Sequence, residues 1–249
     1  MNLLKLEFDK CRHRGIVLIC VAVLAVQVVW MWVFLIRQAS DSMPPDWMLL
    51  LYNLALVDAI VLPLSVSTLV SRNCELEHRG NTWKLLETLA TPSQLYTVKL
   101  LWGALVLAGL LVVRSCLFLV LGVAVGLSGS VPVGRLVLFT LISWTVSMMV
   151  CALQQGLSLR FANQAAPLIS GIFGSFMGLL SLLFPAWLIR CVPWGYYGLM
   201  SLVGMDWNET TRVTRFFWRL PQMTDVVLLL VWVLVFLVVG RILFVKKEV

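Results

Sequence analysis

Long apolar runs separated by short polar stretches set the pattern of this chain. A helix needs about 20 apolar residues to cross a hydrocarbon core. Six runs meet that length: 15–36, 47–70, 100–127, 136–159, 165–189 and 226–245. Each is too long and too evenly apolar for a barrel strand. The pattern therefore predicts an all-α polytopic membrane protein with six transmembrane helices. The first run exceeds the apolar core of about 7–15 residues found in signal peptides. It continues into Arg37-Gln38-Ala39-Ser40-Asp41 rather than a small-residue cleavage site, so a retained span is expected.

The polar stretches carry their own periods. Within 1–14, Leu4, Phe8 and Cys11 form one stripe and Lys5, Asp9 and Arg12 another, as in a helix lying on the membrane surface. In 71–99 the charges come first, and Thr82, Leu85, Leu86 and Leu89 then share a helical face. Thr91-Pro92-Ser93-Gln94 reads as a fresh helix start: Thr91 caps, Pro92 suits the first turn, and Gln94 reaches back. A short helix ending near Ala90 is expected before it. Such an element either receives force from a cytoplasmic partner or rests on lipid as a connector, and composition leaves both open. In the segment 190–225, Pro193-Trp194-Gly195-Tyr196-Tyr197-Gly198 looks like a break between re-entrant or interfacial helices. Arg212, Arg215 and Arg219 follow at i, i+3 and i+7, which predicts a basic amphipathic helix for headgroups or a phosphate-bearing ligand. Asn208-Glu209-Thr210 matches the N-glycosylation triplet, which carries meaning only in a glycosylating secretory pathway.

Composition and charge sharpen this picture. Of 249 residues, 61% are hydrophobic and 12% charged, too few charges to cover a water-soluble globule of this size. The net charge of +7 does not point to nucleic acid, because twelve Lys and Arg fall on one set of loops and six on the other. That asymmetry places the N- and C-termini inside, in a cell membrane. Trp30, Trp32, Trp47, Trp187, Trp194, Trp207 and Trp218 gather at the opposite ends, as an interfacial belt would. The six cysteines form no CxxC pair and read as buried apolar groups, so neither a metal site nor a disulfide set is expected.

Two charges fall within spans. Asp58 lies 12 residues from the inner end of its run and Arg114 lies 14 from the inner end of the next. At 1.5 Å per residue their depths are roughly 18 and 21 Å, so an ion pair between neighbouring helices is expected. It would serve as an interhelical staple or as the polar lining of a translocation route. No Gly-Lys dipeptide, HExxH or GxSxG occurs, and the two histidines, His13 and His78, fall outside the spans. The chain is expected not to be an enzyme by itself, and to have no catalytic residues.

One stretch is more specific. Glu75-x-Glu77-x-x-Gly80-x-x-Trp83-Lys84-x-Leu86, then Thr91-Pro92, then Lys99 opening a span, resembles the coupling region of six-span ABC export permeases of the O-antigen-exporter and ABCG-like class. Within that class, the opening Leu4-Lys5-Leu6-Glu7-Phe8-x-Lys10 is similar to permeases of lantibiotic immunity and resistance systems. The resemblance implies half of a bacterial membrane domain, paired with an identical or related second permease. Two ABC ATPase subunits holding ATP and Mg would dock beneath it, with no cofactor in this chain. It implies coupling through Glu75, Glu77, Gly80, Trp83, Leu86, Thr91 and Pro92, and a peptide substrate expelled from the bilayer. Arg212, Arg215 and Arg219 would repel a cationic peptide unless they face headgroups. The competing readings are an ion-coupled secondary transporter or channel working through Asp58 and Arg114, and a membrane assembly or sensor protein without transport.

Overall fold

The computed structural model describes residues 3–11, 15–39, 45–80, 86, 88–181, 183–208 and 213–247. Six helices come first: α1 (Leu3–Cys11), α2 (Ile16–Ala39), α3 (Trp47–Gly80), α4 (Pro92–Val125), α5 (Val133–Arg160) and α6 (Ala165–Ser181). A short helix α7 (Ala186–Ile189), a 3-10 turn (Pro193–Gly195) and a short helix α8 (Tyr196–Leu199) follow. An antiparallel hairpin of β1 (Val203–Asn208) and β2 (Val213–Trp218) then leads into α9 (Met223–Lys247). Among the described residues, α2, α3, α4, α5 and α9 are long and apolar enough to cross a membrane, and α6 is a shorter apolar helix of 17 residues.

Local chemistry sets the ends of α4. Thr91 accepts from the Gln94 amide at 3.4 Å, and the Gln94 side chain accepts from the Thr91 amide at 3.1 Å, a complete capping box ahead of Pro92. At the far end Gly126 takes a left-handed φ of 76°, and the Leu127 amide returns to the Gly122 carbonyl at 3.0 Å.

α3 is the hub, packed along α5 and α6 and touching α2, α4 and α8. In its most apolar stretch 61% of residues are buried, against 17% in α2 and 11% in α9, so the rest of the described chain leaves most of α2 and α9 uncovered. Pro63 has no N–H to give the Ala59 carbonyl. Gly178 of α6 packs against that freed carbonyl, where a Cβ would sit 2.7 Å from the oxygen. A Cβ on Gly171 would fall on the Ser67 side chain, and one on Gly174 on the Trp194 indole. This glycine seam lets α6 approach the hub backbone, as small residues do between membrane helices. Gly178→Leu should therefore push α6 away and leave little monodisperse protein on size exclusion in detergent. Gly109→Ala, where a Cβ meets nothing within 4 Å, should behave as wild type.

Some helices run past the expected span limits. The helix that carries the second expected span does not stop at residue 70. α3 continues to Gly80 as one helix of 34 residues, about 51 Å long, so its last turns project beyond a core about 30 Å thick. The helix that carries the third begins at Pro92, ahead of the expected span, because the capping box fixes its start. The fifth expected span, 165–189, is not one helix. α6 ends at Ser181, and Pro185, lacking an N–H, starts α7 after a turn in which the Phe184 amide reaches the Ser181 carbonyl at 3.1 Å.

The expected basic amphipathic helix is not formed: Arg215 lies in β2 of the hairpin and Arg219 just beyond it, so the α-helical polytopic fold carries one added two-stranded element. Val203↔Trp218, Met205↔Phe216 and Trp207↔Thr214 share one face, and Gly204↔Phe217 and Asp206↔Arg215 share the other. Aromatic and β-branched residues dominate β2, which suits a strand. Gly204 leaves room for the Phe217 ring, which covers the place of the missing Cβ.

Candidate functional site

The two ends of the bundle differ in chemistry. At the end where α3 finishes and α4 starts, α1 lies against α4 and turns Glu7 and Cys11 into the protein. The Glu7 carboxylate meets Lys99 Nζ at 3.0 Å, and Lys99 also reaches Glu77 at 3.4 Å. Lys10 bridges the same carboxylates, at 2.9 Å to Glu77 and 3.5 Å to Glu7. Lys99 donates further to the Asn73 carbonyl at 3.4 Å, and the Cys11 thiol donates to the Asn73 side chain at 3.5 Å. Burial, with Glu7 beside it, pushes the Cys11 thiol up to about 11, which keeps the proton it donates. The cluster holds two acids and two bases, so its charges balance. It ties α1, α3 and α4 together at one point, and the Lys99 side chain is only 1% exposed.

The residues expected to couple to a partner separate into distinct places around this joint. Glu77 is inside it. Glu75, two residues earlier, is half-buried and pairs with the exposed Arg79 at 2.6 Å and Arg72 at 3.5 Å along α3 itself. Gly80 ends α3. Trp83 lies outside the described residues. Leu86 is buried, and its carbonyl takes the Leu89 and Ala90 amides at 3.0 and 2.9 Å, closing a helical turn at Ala90. Thr91 and Pro92 then start α4. Leu86 and Ala90 belong to the same apolar core as Leu95 and Tyr96, so these two residues of the connector are seated on the bundle. His78 lies 3.0 Å from the Ser158 carbonyl and Gln155 donates to the Tyr96 carbonyl at 2.8 Å, which attaches α5 to the same end.

Half-way along the bundle, Arg114 of α4 donates through one nitrogen to both oxygens of Asp58 of α3, each at 2.6 Å. Gln27 of α2 and Ser143 of α5 add donors at 3.0 and 3.1 Å. The guanidinium carbon lies 5.4 Å from the Phe139 ring centre. Both side chains are buried, and Arg114 Nε and the second terminal nitrogen have no partner among the described residues. One carboxylate thus gathers four helices. Ser147 and Tyr197 meet at 3.0 Å one turn along α5 and bring in α8. Among the described residues, no group of His, Cys, Asp or Glu could hold a metal ion.

At the hairpin end Arg215 and Arg219 are committed to different partners. Arg212 lies outside the described residues. Arg215 sits opposite Asp206. Arg219 gives its hydrogen bonds to the carbonyls of Ser201, Leu199 and Gly198 at 3.0, 3.0 and 3.3 Å, capping the end of α8.

Three features lay beyond the sequence reading. The sequence names Glu7 and Lys10 only within the opening Leu4–Lys10 motif and predicts no pairing for them, yet Leu3, Glu7 and Cys11 recur at i, i+4 and i+8 and mark the inward stripe. Phe8, expected on that stripe, is 41% exposed and only rims Trp102 at 6.4 Å. Arg190 pairs with Asp225 at 2.6 Å, joining the segment after α7 to the start of α9.

A family described as ABC-2 family transporter protein matches residues 3–178, which include both polar clusters and end within α6. None of the curated proteins matches the chain.

Proposed function

The chain belongs to the ABC-2 transporter family, and from that premise we propose that it exports an amphiphilic antimicrobial peptide, such as a lantibiotic, from the membrane for immunity or resistance. It is an ABC permease subunit, a multi-pass protein of the cell membrane that partners with ABC ATPase subunits. On this reading ATP and Mg are held by the ATPases, this chain is not itself an enzyme, and a second permease, identical or related, completes the pathway. The end carrying Lys10, Lys99, Arg72 and Arg79 faces the cytoplasm with both termini, and the hairpin end faces outward.

The observation that carries the proposal is the ionic joint among Glu7, Lys10, Glu77 and Lys99. It fastens α1, α3 and α4 where the connector between Gly80 and Thr91 would meet a partner. A push on that connector would move the three helices together instead of bending one. Glu77 then serves as part of the joint, while Glu75, Gly80 and Trp83 remain to meet the ATPase. The Asp58–Arg114 contact carries the movement to α2 and α5. Three different donors already occupy Asp58, which disfavours it as the ion carrier of a secondary transporter.

Co-expression with the ATPase tests this reading. The complex should co-purify, hydrolyse ATP faster in the presence of a cationic antimicrobial peptide, and let cells survive more of that peptide. A permease that never retains an ATPase, or a complex indifferent to such peptides, would sink it.

A further inference from the structure

At the hairpin end, α2, α3 and the hairpin border a half-open cavity of about 530 Å³. That lies within the usual range of ligand sites, about 300–1,000 Å³. Its walls include Phe34 of α2, Tyr52 and Asn53 of α3, and Met205 and Phe216 of the hairpin. Tyr52 and Phe216 stand 5.1 Å apart, with their planes tilted by 57°. The Tyr52 hydroxyl donates to Met205 sulfur at 3.4 Å, which fixes the ring against the hairpin. Asp46 opens onto the same space. One of its oxygens caps α3 by taking the Leu49 amide at 2.8 Å.

We propose that this cavity binds an ammonium group of a cationic amphipathic peptide, with Asp46 as its counter-charge and Phe34, Tyr52 and Phe216 as its aromatic walls. The proposal rests on the export reading above and deepens it by naming the substrate's point of contact. Ammonium groups are attracted to aromatic faces and to carboxylates, and partial desolvation strengthens both attractions. Among the described residues lining the cavity, Asp46 carries the only charge.

Arg215 and Arg219, the two described arginines that seemed to oppose a cationic substrate, are directed elsewhere. Strand alternation turns Thr214 and Phe216 into the cavity and Arg215, with Asp206 opposite, onto the other face of the hairpin. Arg219 is committed to backbone carbonyls. The cavity is also much roomier than an ethanolamine headgroup, and Met205 and Trp207, on the hairpin face that borders it, leave exposed apolar surface for the rest of an amphiphile. Its hairpin wall lies beyond the family match, which ends at residue 178, so this wall is not part of the matched region.

The test uses the full permease–ATPase complex in nanodiscs of phosphatidylcholine and phosphatidylglycerol. The probe is a fluorophore-labelled synthetic amphipathic peptide with lysines on its polar face. Asp46→Asn keeps an oxygen to cap α3 but removes the charge. It should weaken binding roughly tenfold, as loss of one partly buried charge pair does. The same peptide with acetylated lysines should bind weakly to wild type and no more weakly to the variant. Phe216→Leu should also weaken the lysine peptide, and Arg215→Gln should stay within about twofold, since exposed charges contribute little. Equal affinity of wild type and Asp46→Asn for the lysine peptide would overturn the site while leaving the export reading intact. So would an occupant revealed as lipid, with phosphatidylethanolamine nanodiscs abolishing the Asp46 effect. If peptide neither binds wild type nor stimulates its ATP hydrolysis, the export reading itself fails.

Discussion

Lys99→Met is expected to be among the most damaging single substitutions in the chain, although methionine fits the volume of the lysine stem. Lys99 is 1% exposed and stands between the carboxylates of Glu7 and Glu77. Without it two acids face each other in a buried place, with only the partly exposed Lys10 to balance them. Removing one partner of a buried ion cluster costs about 3–5 kcal/mol, because the other charge is left unpaired. That is a large share of the stability of an ordinary domain, about 5–15 kcal/mol. The yield of folded protein and its Tm in detergent should both fall. Replacing the pair by apolar groups of similar size is often neutral. Combining Lys99→Met with Glu7→Leu should therefore recover most of the yield. If the joint also transmits force, the double variant should fold, retain the ATPase and still lose peptide-stimulated ATP hydrolysis. Full activity in the folded double variant would show that the cluster is a structural clasp only. Glu75→Gln supplies the contrast. Its partners Arg72 and Arg79 are exposed, and such pairs contribute about 0–1 kcal/mol, so its Tm should barely move.

What could be read from sequence divides by the distance over which the deciding interaction acts. The start of α4 was legible because Thr91, Pro92 and Gln94 settle it within four residues. The apolar runs were legible because a bilayer demands a length. Glu7 was not, because what draws a carboxylate inward is a lysine 92 positions away. Taken alone, a Glu on a short amphipathic stretch belongs to the wet side. The hairpin failed for a different reason. Residues 212–219 carry arginines at a helical spacing, while the six residues of β2 within them are mostly β-branched and aromatic as in a strand, and so short a window does not separate the two readings. The pairing of Gly204 with Phe217 that decides between them is again long-range. At the fifth span hydropathy outweighed Pro185, whose missing N–H ends the ladder however apolar its neighbours are.

Depth arithmetic brought Asp58 and Arg114 to the same level, and their contact makes a second large effect predictable, with an asymmetry that arithmetic alone could not supply. Asp58→Ala should be worse than Arg114→Ala. When Arg114 is removed, Gln27 and Ser143 still donate to the Asp58 carboxyl, and a carboxyl can be neutralised by a proton. When Asp58 is removed, the guanidinium keeps only the Phe139 face, and two of its nitrogens already lack partners. A guanidinium cannot give up its charge. A lone charge at that depth costs at least about 2.5–3.5 kcal/mol on the insertion scale. Asp58→Ala should thus lower Tm and yield sharply, Arg114→Ala should do so less, and the double variant should lie above Asp58→Ala. Exchanging the two residues should not rescue the protein. An arginine at 58 would face the Gln27 and Ser143 donors, and an aspartate at 114 would face the electron-rich Phe139 ring. Thermal unfolding of the four variants, with the double-mutant coupling energy taken from them, decides the matter. Additive losses, or an exchanged pair as stable as wild type, would mean that the four-helix arrangement around this carboxylate does not govern the fold.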